Sequence, residues 1–187
     1  MGGGDKCLLD LGGQPMLARI VARLGPSLGP VALNANGDPA RFAGFGLPVL
    51  PDSLPDHPGP LAGILAGMDW AASTGAARIL SVAGDTPFFP ADLARRLAEA
   101  GDGIVLAASR DAEGGVHEHP TFGLWPVALR GPLRDFLAAG GRRVRGFARD
   151  HGARLAVWEA GGSCDPFFNI NTPADLDLAR QSPFLQG

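Results

Sequence analysis

A chain of 187 residues suits one domain and can bury roughly 70% of the surface its unfolded form exposes, so no disulfide or metal staple is required. Its 45% apolar and 19% charged content is that of an ordinary globule, and a net charge of −3 argues against nucleic acid or an anionic membrane as partner. Cys7 and Cys164 lack CxxC spacing and the four histidines are scattered, which fits a reducing cytoplasm, and no apolar run marks a leader or a span.

In chain order, the first feature is MGGGDKCLLDLGGQP. Glycines let consecutive backbone amides approach an anion, and a following lysine adds a point charge for phosphate oxygens. Taken alone, the stretch reads more readily as an unstructured chain start. It is not a Walker A loop, because Cys7 stands where Ser or Thr should follow the lysine. VALNAN (31–36) and LPVLPD (47–52) are expected as short buried strands ending in polar residues. In GPLAGILAGMDWAAS, Leu61, Ile64, Leu65 and Met68 recur at i, i+3, i+4 and i+7, which predicts one helical face. ARILSVAGD (77–85) predicts a strand, and PADLARRLAEAG (90–101) a helix from Pro90 to Gly101. GIVLAAS (103–109) and HPTFGLW (119–125) read as further strands. PVALRGPLRDFLAAGG reads as a helical stretch interrupted at Gly131-Pro132, and ARLAVWEA as a late strand. NTPADLDLARQ predicts a helix capped by Thr172 with Pro173 at its first position.

This alternation predicts a single α/β domain over 1–187, with a mostly parallel sheet covered by helices on both faces. Ligands of such sheets bind beyond the carboxyl ends of the strands. Asn34, Asn36, Asp52 and Gly84-Asp85-Thr86 fall at those ends.

VAGDTPFFP delivers Asp85 to the end of an apolar strand, ahead of a rigid turn at Pro87. One carboxylate beside a phosphate loop suits Mg²⁺, which takes one or two carboxylates plus substrate phosphates. A turn cap before the next helix is the alternative, and Asp52 carries a similar pair of readings. DSLPDHPGPLAG either offers helix-start amides to an anion or base edge or is only a rigid helix entry. The asparagines of NAN either bond a ribose or base or simply end a strand. In DPFFNINTPADL the cap accounts for Thr172 but not for Asn169 and Asn171. The basic cluster Arg142, Arg143 and Arg145 is a solvated face or a contact for an anionic substrate. His119 lines a cleft or is a satisfied structural histidine. No nucleophile–base pairing points to a covalent intermediate.

Read in order, MGGGDKCLLDLGGQPML, NAN, PDSLPDHPGPLAGILAGM, GDTPFFP, HPTFGLW, GGRRV and DPFFNINTPADL resemble the molybdenum cofactor guanylyltransferases over nearly the whole chain. The resemblance implies a three-layer, Rossmann-like nucleotidyltransferase fold. It implies transfer of GMP from Mg-GTP to the phosphate of molybdopterin, releasing pyrophosphate and forming a guanine dinucleotide cofactor. It places nucleotide binding on Gly3, Gly4, Lys6, Asn34, Asp52, Gly63 and Asp85, with Lys6 and Asp85 catalytic and Asp85 the Mg²⁺ ligand. Arg142, Arg143, Asn169 and Asn171 fall where the family is thought to meet the pterin substrate. Molybdoenzymes or their chaperones are the implied partners. Family members begin with a strand ending in a Leu-Ala-Gly-Gly turn, whereas Met1 coincides with the methionine of a later motif; the sheet as numbered is therefore expected to lack its first strand. A related cytidylyl- or sugar-phosphate nucleotidyltransferase and a non-catalytic nucleotide carrier are the alternatives.

Overall fold

The computed structural model describes residues 5–25, 28–54, 59–159 and 165–181; Gly2, Gly3, Gly4, His57 and Cys164 lie outside them. The elements in chain order are α1 (Met16–Leu24), β1 (Leu33–Asn34), β2 (Val49–Leu50), α2 (Pro60–Ser73), β3 (Arg78–Ser81), α3 (Leu93–Glu99), β4 (Val105–Arg110), β5 (Val116–Pro126), α4 (Arg130–Ala138), α5 (Val144–Asp150), β6 (Arg154–Glu159) and α6 (Pro173–Arg180). No helix among the described residues is long and apolar enough to cross a membrane.

Local chemistry explains the helix boundaries. Gly59 adopts a φ of 87° at the N-cap of α2, which a side chain would strain, and Pro60 follows at the first position, where no amide donor is needed. Leu61, Ile64, Leu65 and Met68 are all buried, as their spacing predicts. Gly131-Pro132 does not interrupt α4: the pair sits in its first turn, so the missing Pro132 amide removes no intrahelical bond. Likewise, Pro90 starts a turn rather than α3, accepting from Leu93 N at 3.0 Å.

The α/β class is as expected, with one refinement of the mostly parallel sheet. The described strands form a parallel pair, β1–β2, and a four-stranded sheet in the order β3-β5-β4-β6. Within the latter, β4 and β6 are parallel, whereas β5 runs antiparallel to both β3 and β4. The reason is connection length: only Asp111–Gly115 separates β4 from β5, and a parallel crossover needs a dozen residues or more.

Side chains alternate across these strands and sort the core into two layers. Val105 and Ala107 pack with Met16, Leu97 and Phe167 on one face, and Ile104 and Leu106 pack with Leu65 and Phe147 on the other. Helices α1, α3 and α6 thus cover one face and α2, α4 and α5 the other, the three-layer arrangement.

The two sheets face each other across a cavity of about 810 Å³. Its walls include the consecutive runs 31–36 and 78–84. Because neighbouring side chains on a strand point to opposite faces, a wall built of consecutive residues is a strand edge. The edges of β1 and β3 therefore look into the same cavity, whose lining runs on past their carboxyl ends to Asn36 and Gly84.

Candidate active site

At the carboxyl end of β3 the chain turns through Gly84, Asp85 and Thr86. Asp85 is half-buried and Thr86 fully buried. The Asp85 carbonyl accepts from Ile170 N at 2.8 Å. The Thr86 hydroxyl lies 3.2 Å from Asp85 Oδ1 and also bonds the side-chain oxygen of Asn169. Two residues on, Asn171 Oδ1 accepts from Lys6 Nζ at 3.1 Å. A single strip, 169–171, thus joins Lys6 to Asp85, although 79 positions separate them in sequence.

Asn171 is itself held from behind. Its amide donates to Asp175 Oδ2 at 2.9 Å, and the Thr172 amide donates to the same oxygen at 2.7 Å. Thr172 Oγ1 in turn accepts from Asp175 N, completing a capping box at the start of α6. The amides of Thr172 and Asn171 hold the Asp175 carboxyl below its ordinary range.

A second group gathers at the ends of β1 and β2. Asn34 Nδ2 donates to Leu50 O at 3.0 Å and to Asp52 Oδ1 at 2.9 Å. Asn36 Nδ2 donates to Asp52 Oδ2 at 2.9 Å, and its own oxygen accepts from Asp52 N at 3.0 Å. Asp52 therefore orients both asparagines. Asn34 Oδ1 presses against Gly63 of α2: a Cβ there would sit 2.2 Å from it. Gly63 is required because the asparagine occupies the space of its side chain.

The cavity is lined by Asn34 and Gly63 from the second group and, next to the first group, by Asp5, Cys7 and Gly84, with Arg41 between them. Arg41 pairs with Asp5 and donates to the Asn36 carbonyl. Cys7 sits under Gly84, 3.7 Å from where a Cβ would be. Burial, helped by the charge of Asp5, pushes its thiol above the ordinary range, so it is protonated near neutral pH and a poor nucleophile.

Of the residues expected at the site, Lys6, Asp85, Asn169 and Asn171 come together, and so do Asn34, Asp52 and Gly63. Gly3 and Gly4 lie outside the described residues. Arg142 turns back on its own loop, donating to the carbonyls of Leu137 at 3.1 Å and Gly141 at 2.8 Å. Arg143 precedes α5 as its N-cap. Neither is tied to the strip by a contact among the described residues. Sequence reading gave no role to Thr86 or Asp175; the capping-box spacing from Thr172 to Asp175 was the available signal for the second.

No group of three or more His, Cys, Asp or Glu side chains that could cage a metal occurs among the described residues. What Asp85 offers is one hard carboxylate at a cleft edge. That donor set fits a cation such as Mg²⁺ that shares its shell with substrate phosphates.

A lysine and a carboxylate joined by a polar strip at the carboxyl edge of a three-layer α/β sheet are the parts of a nucleotide-handling transferase. The family model of the MobA-like NTP transferase domain matches residues 1–155, and the chain belongs to that family. It is 51% identical over 180 residues to a molybdenum cofactor guanylyltransferase of Cereibacter sphaeroides, covering 96% of this chain and 89% of that protein. Among solved structures it resembles molybdopterin-guanine dinucleotide biosynthesis protein A from Archaeoglobus fulgidus, with a TM-score of 0.68 and 18% identity, covering 96% of this chain and 90% of that one. It also resembles 2-C-methyl-D-erythritol 4-phosphate cytidylyltransferase from Thermus thermophilus, with a TM-score of 0.69 and 18% identity over 96% and 94% of the two chains. The last two likenesses concern the fold alone.

Proposed function

We propose that the chain transfers GMP from GTP to the phosphate of molybdopterin, with release of pyrophosphate. The observation that carries this reading is the strip 169–171, whose hydrogen bonds run to Lys6 at one end and to Thr86 and the Asp85 carbonyl at the other. The likeness to relatives bearing the guanylyltransferase name supports the choice of guanine and of molybdopterin.

The reaction brings two anions together. Unit charges 4 Å apart repel by about 4 kcal/mol at an effective dielectric near 20, so positioning and charge stabilisation dominate. Lys6 holds the departing phosphates, and its bond to Asn171 fixes the ammonium before substrate arrives. The amides of Asn169 and Asn171 face the acceptor side and orient the incoming phosphate. Asn34, whose amide hydrogens are committed to Leu50 O and Asp52 Oδ1, offers its Oδ1 as the acceptor for the nucleoside. The acceptor phosphate is already ionised near neutral pH, so the site needs no general base. Asp85 would hold Mg²⁺, which supplies charge neutralisation on the phosphate oxygens when bound.

Purified chain supplied with GTP, Mg²⁺ and molybdopterin is expected to release pyrophosphate, and CTP should neither replace GTP nor compete with it. Turnover with CTP in place of GTP would transfer the protein to the cytidylyl branch. Binding of GTP without pyrophosphate release would make it a carrier.

A further inference from the structure

The HPTFGLW segment leaves His119 without a part in that mechanism, yet the fold holds it firmly. Pro120 has no amide to give the ladder, and the register jumps there: Leu106 pairs with Gly123, but the next residue, Ala107, pairs with His119. Bulges of this kind re-aim a side chain. The bulge is pinned from the β3 side, where Ser81 Oγ donates to Thr121 O at 2.8 Å while accepting from Trp125 Nε1 at 2.9 Å. His119 consequently lies stacked on Phe167, ring centroids 4.3 Å apart and 19° from parallel. Its Nε2 is 2.8 Å from Ser109 Oγ, whose residue is 2% exposed.

Ser109 then bonds Asp165 Oδ2 at 3.3 Å. A hydroxyl has one proton, so giving it to the carboxylate requires accepting from His119 Nε2–H. The order is imidazole N–H to hydroxyl to carboxylate. Burial holds the imidazole below its ordinary pKa against the pull of Asp165, with His117 and Arg145 adding to the lowering; it is neutral near pH 7 and keeps that single N–H. Asp165 passes the restraint on: its Oδ1 accepts from Phe167 N at 2.8 Å and its carbonyl from Phe168 N at 3.0 Å. The stretch 165–171 has no helix or strand ladder of its own, so its polar backbone depends on such outside partners. One end is fixed by Ser109 and His119, the other by Asp85, Lys6 and Asp175.

We propose that Ser109 and His119 are positioning residues that set the 165–171 strip, and through it the placement of Asn169 and Asn171 toward the acceptor phosphate. This rests on the reading of the site given above. Neither residue touches substrate. Both act through Asp165.

The test uses three variants of the full chain. His119→Phe keeps the stack on Phe167 but loses the donor, Ser109→Ala removes only the hydroxyl, and His119→Gln restores an amide donor in place of the ring. In the first two, the KM for molybdopterin is expected to rise about tenfold, the worth of one well-placed hydrogen bond, while the Kd for GTP changes by no more than about twofold, because Lys6 keeps its charge when its Asn171 partner shifts. His119→Gln should recover most of the loss. Hydrogen exchange at the Phe167 and Ile170 amides, read without substrate, should quicken in His119→Phe and Ser109→Ala and recover in His119→Gln. Unchanged exchange at both amides overturns the proposal, whatever the catalytic outcome. Equal effects on GTP binding and molybdopterin KM overturn it as well, because they indicate general loosening. Quickened exchange in a protein that never transfers GMP would instead keep the positioning pair and discard the assigned reaction.

Discussion

Lys6 and Asn171 are 165 positions apart in sequence, yet the lysine ammonium donates to the asparagine oxygen at 3.1 Å. This bond closes the site: it ties the turn before α1 to the strip before α6, and the strip in turn rests on the Asp85 carbonyl. The lysine ammonium is thus fixed beside Asn171 before any phosphate arrives.

Replacing Lys6 by Ala should therefore harm binding and spare folding. The KM for GTP is expected to rise about tenfold, as for loss of one charged hydrogen bond. The unfolding free energy should move by no more than about 0.5 kcal/mol, since the contact is exposed. Steady-state kinetics and a denaturant melt on the same preparation check both halves.

Asp85→Ala is expected to act on turnover more than on affinity. With saturating Mg²⁺, kcat should fall by roughly 10²–10³, the usual cost of deleting one group that stabilises developing charge, while the Kd for GTP changes much less. A normal rate in this variant would remove Asp85 from the chemistry.

At Gly63 two effects oppose each other. Alanine is the better helix former by about 1 kcal/mol, but Gly63→Ala should still lower the melting temperature, because it displaces Asn34 from its two hydrogen bonds. Its Cβ would lie 2.2 Å from Asn34 Oδ1. The asparagine must swing away from Leu50 and Asp52, and GTP affinity should drop about tenfold on losing one hydrogen bond from its displaced Oδ1 to the nucleoside. Calorimetric titration beside a thermal melt gives the answer.

The capping box sets an acid limit. Asp175 has its carboxyl pKa lowered in the folded chain from an ordinary 3.8. Its contribution to stability is therefore fully present above that value and is lost as pH falls through the folded one. Melts recorded from pH 7 to pH 3 should show a decline that Asp175→Asn flattens. Thr172→Ala should cost about 1 kcal/mol near neutral pH, the usual worth of an N-cap.

Much of this was legible in the chain because local rules decided it. The spacing of Leu61, Ile64, Leu65 and Met68 marked the buried face of α2, and Thr172-Pro173 marked the start of α6. The strand-end polar residues Asn34 and Asp85 do stand at or just beyond the carboxyl ends of β1 and β3. What remained hidden depends on distant partners. Nothing near Lys6 announces Asn171, and nothing in NAN announces that Asp52 aligns both asparagines. The antiparallel run of β5 followed from a short connection, Asp111–Gly115, whose meaning appears only once β4 and β5 are both placed. Pro120 inside a strand was the readable trace of the bulge, since proline is tolerated there only at edges and irregularities. Arg142 and Arg143 stand out as a dense basic run in the chain; in the fold one nitrogen of Arg142 donates to the carbonyls of Leu137 and Gly141.

The placement of α6 has a thermal consequence. This eight-residue helix buries only Leu176 and Ala179, so its first turn should open well before the sheet does. Since the same turn steadies Asn171, and Asn171 steadies Lys6, fraying would release the grip on both the acceptor and the departing phosphates while circular dichroism still reports an intact protein. On gradual warming, catalysis should fade at a temperature below the cooperative melt, and it should return fully on cooling.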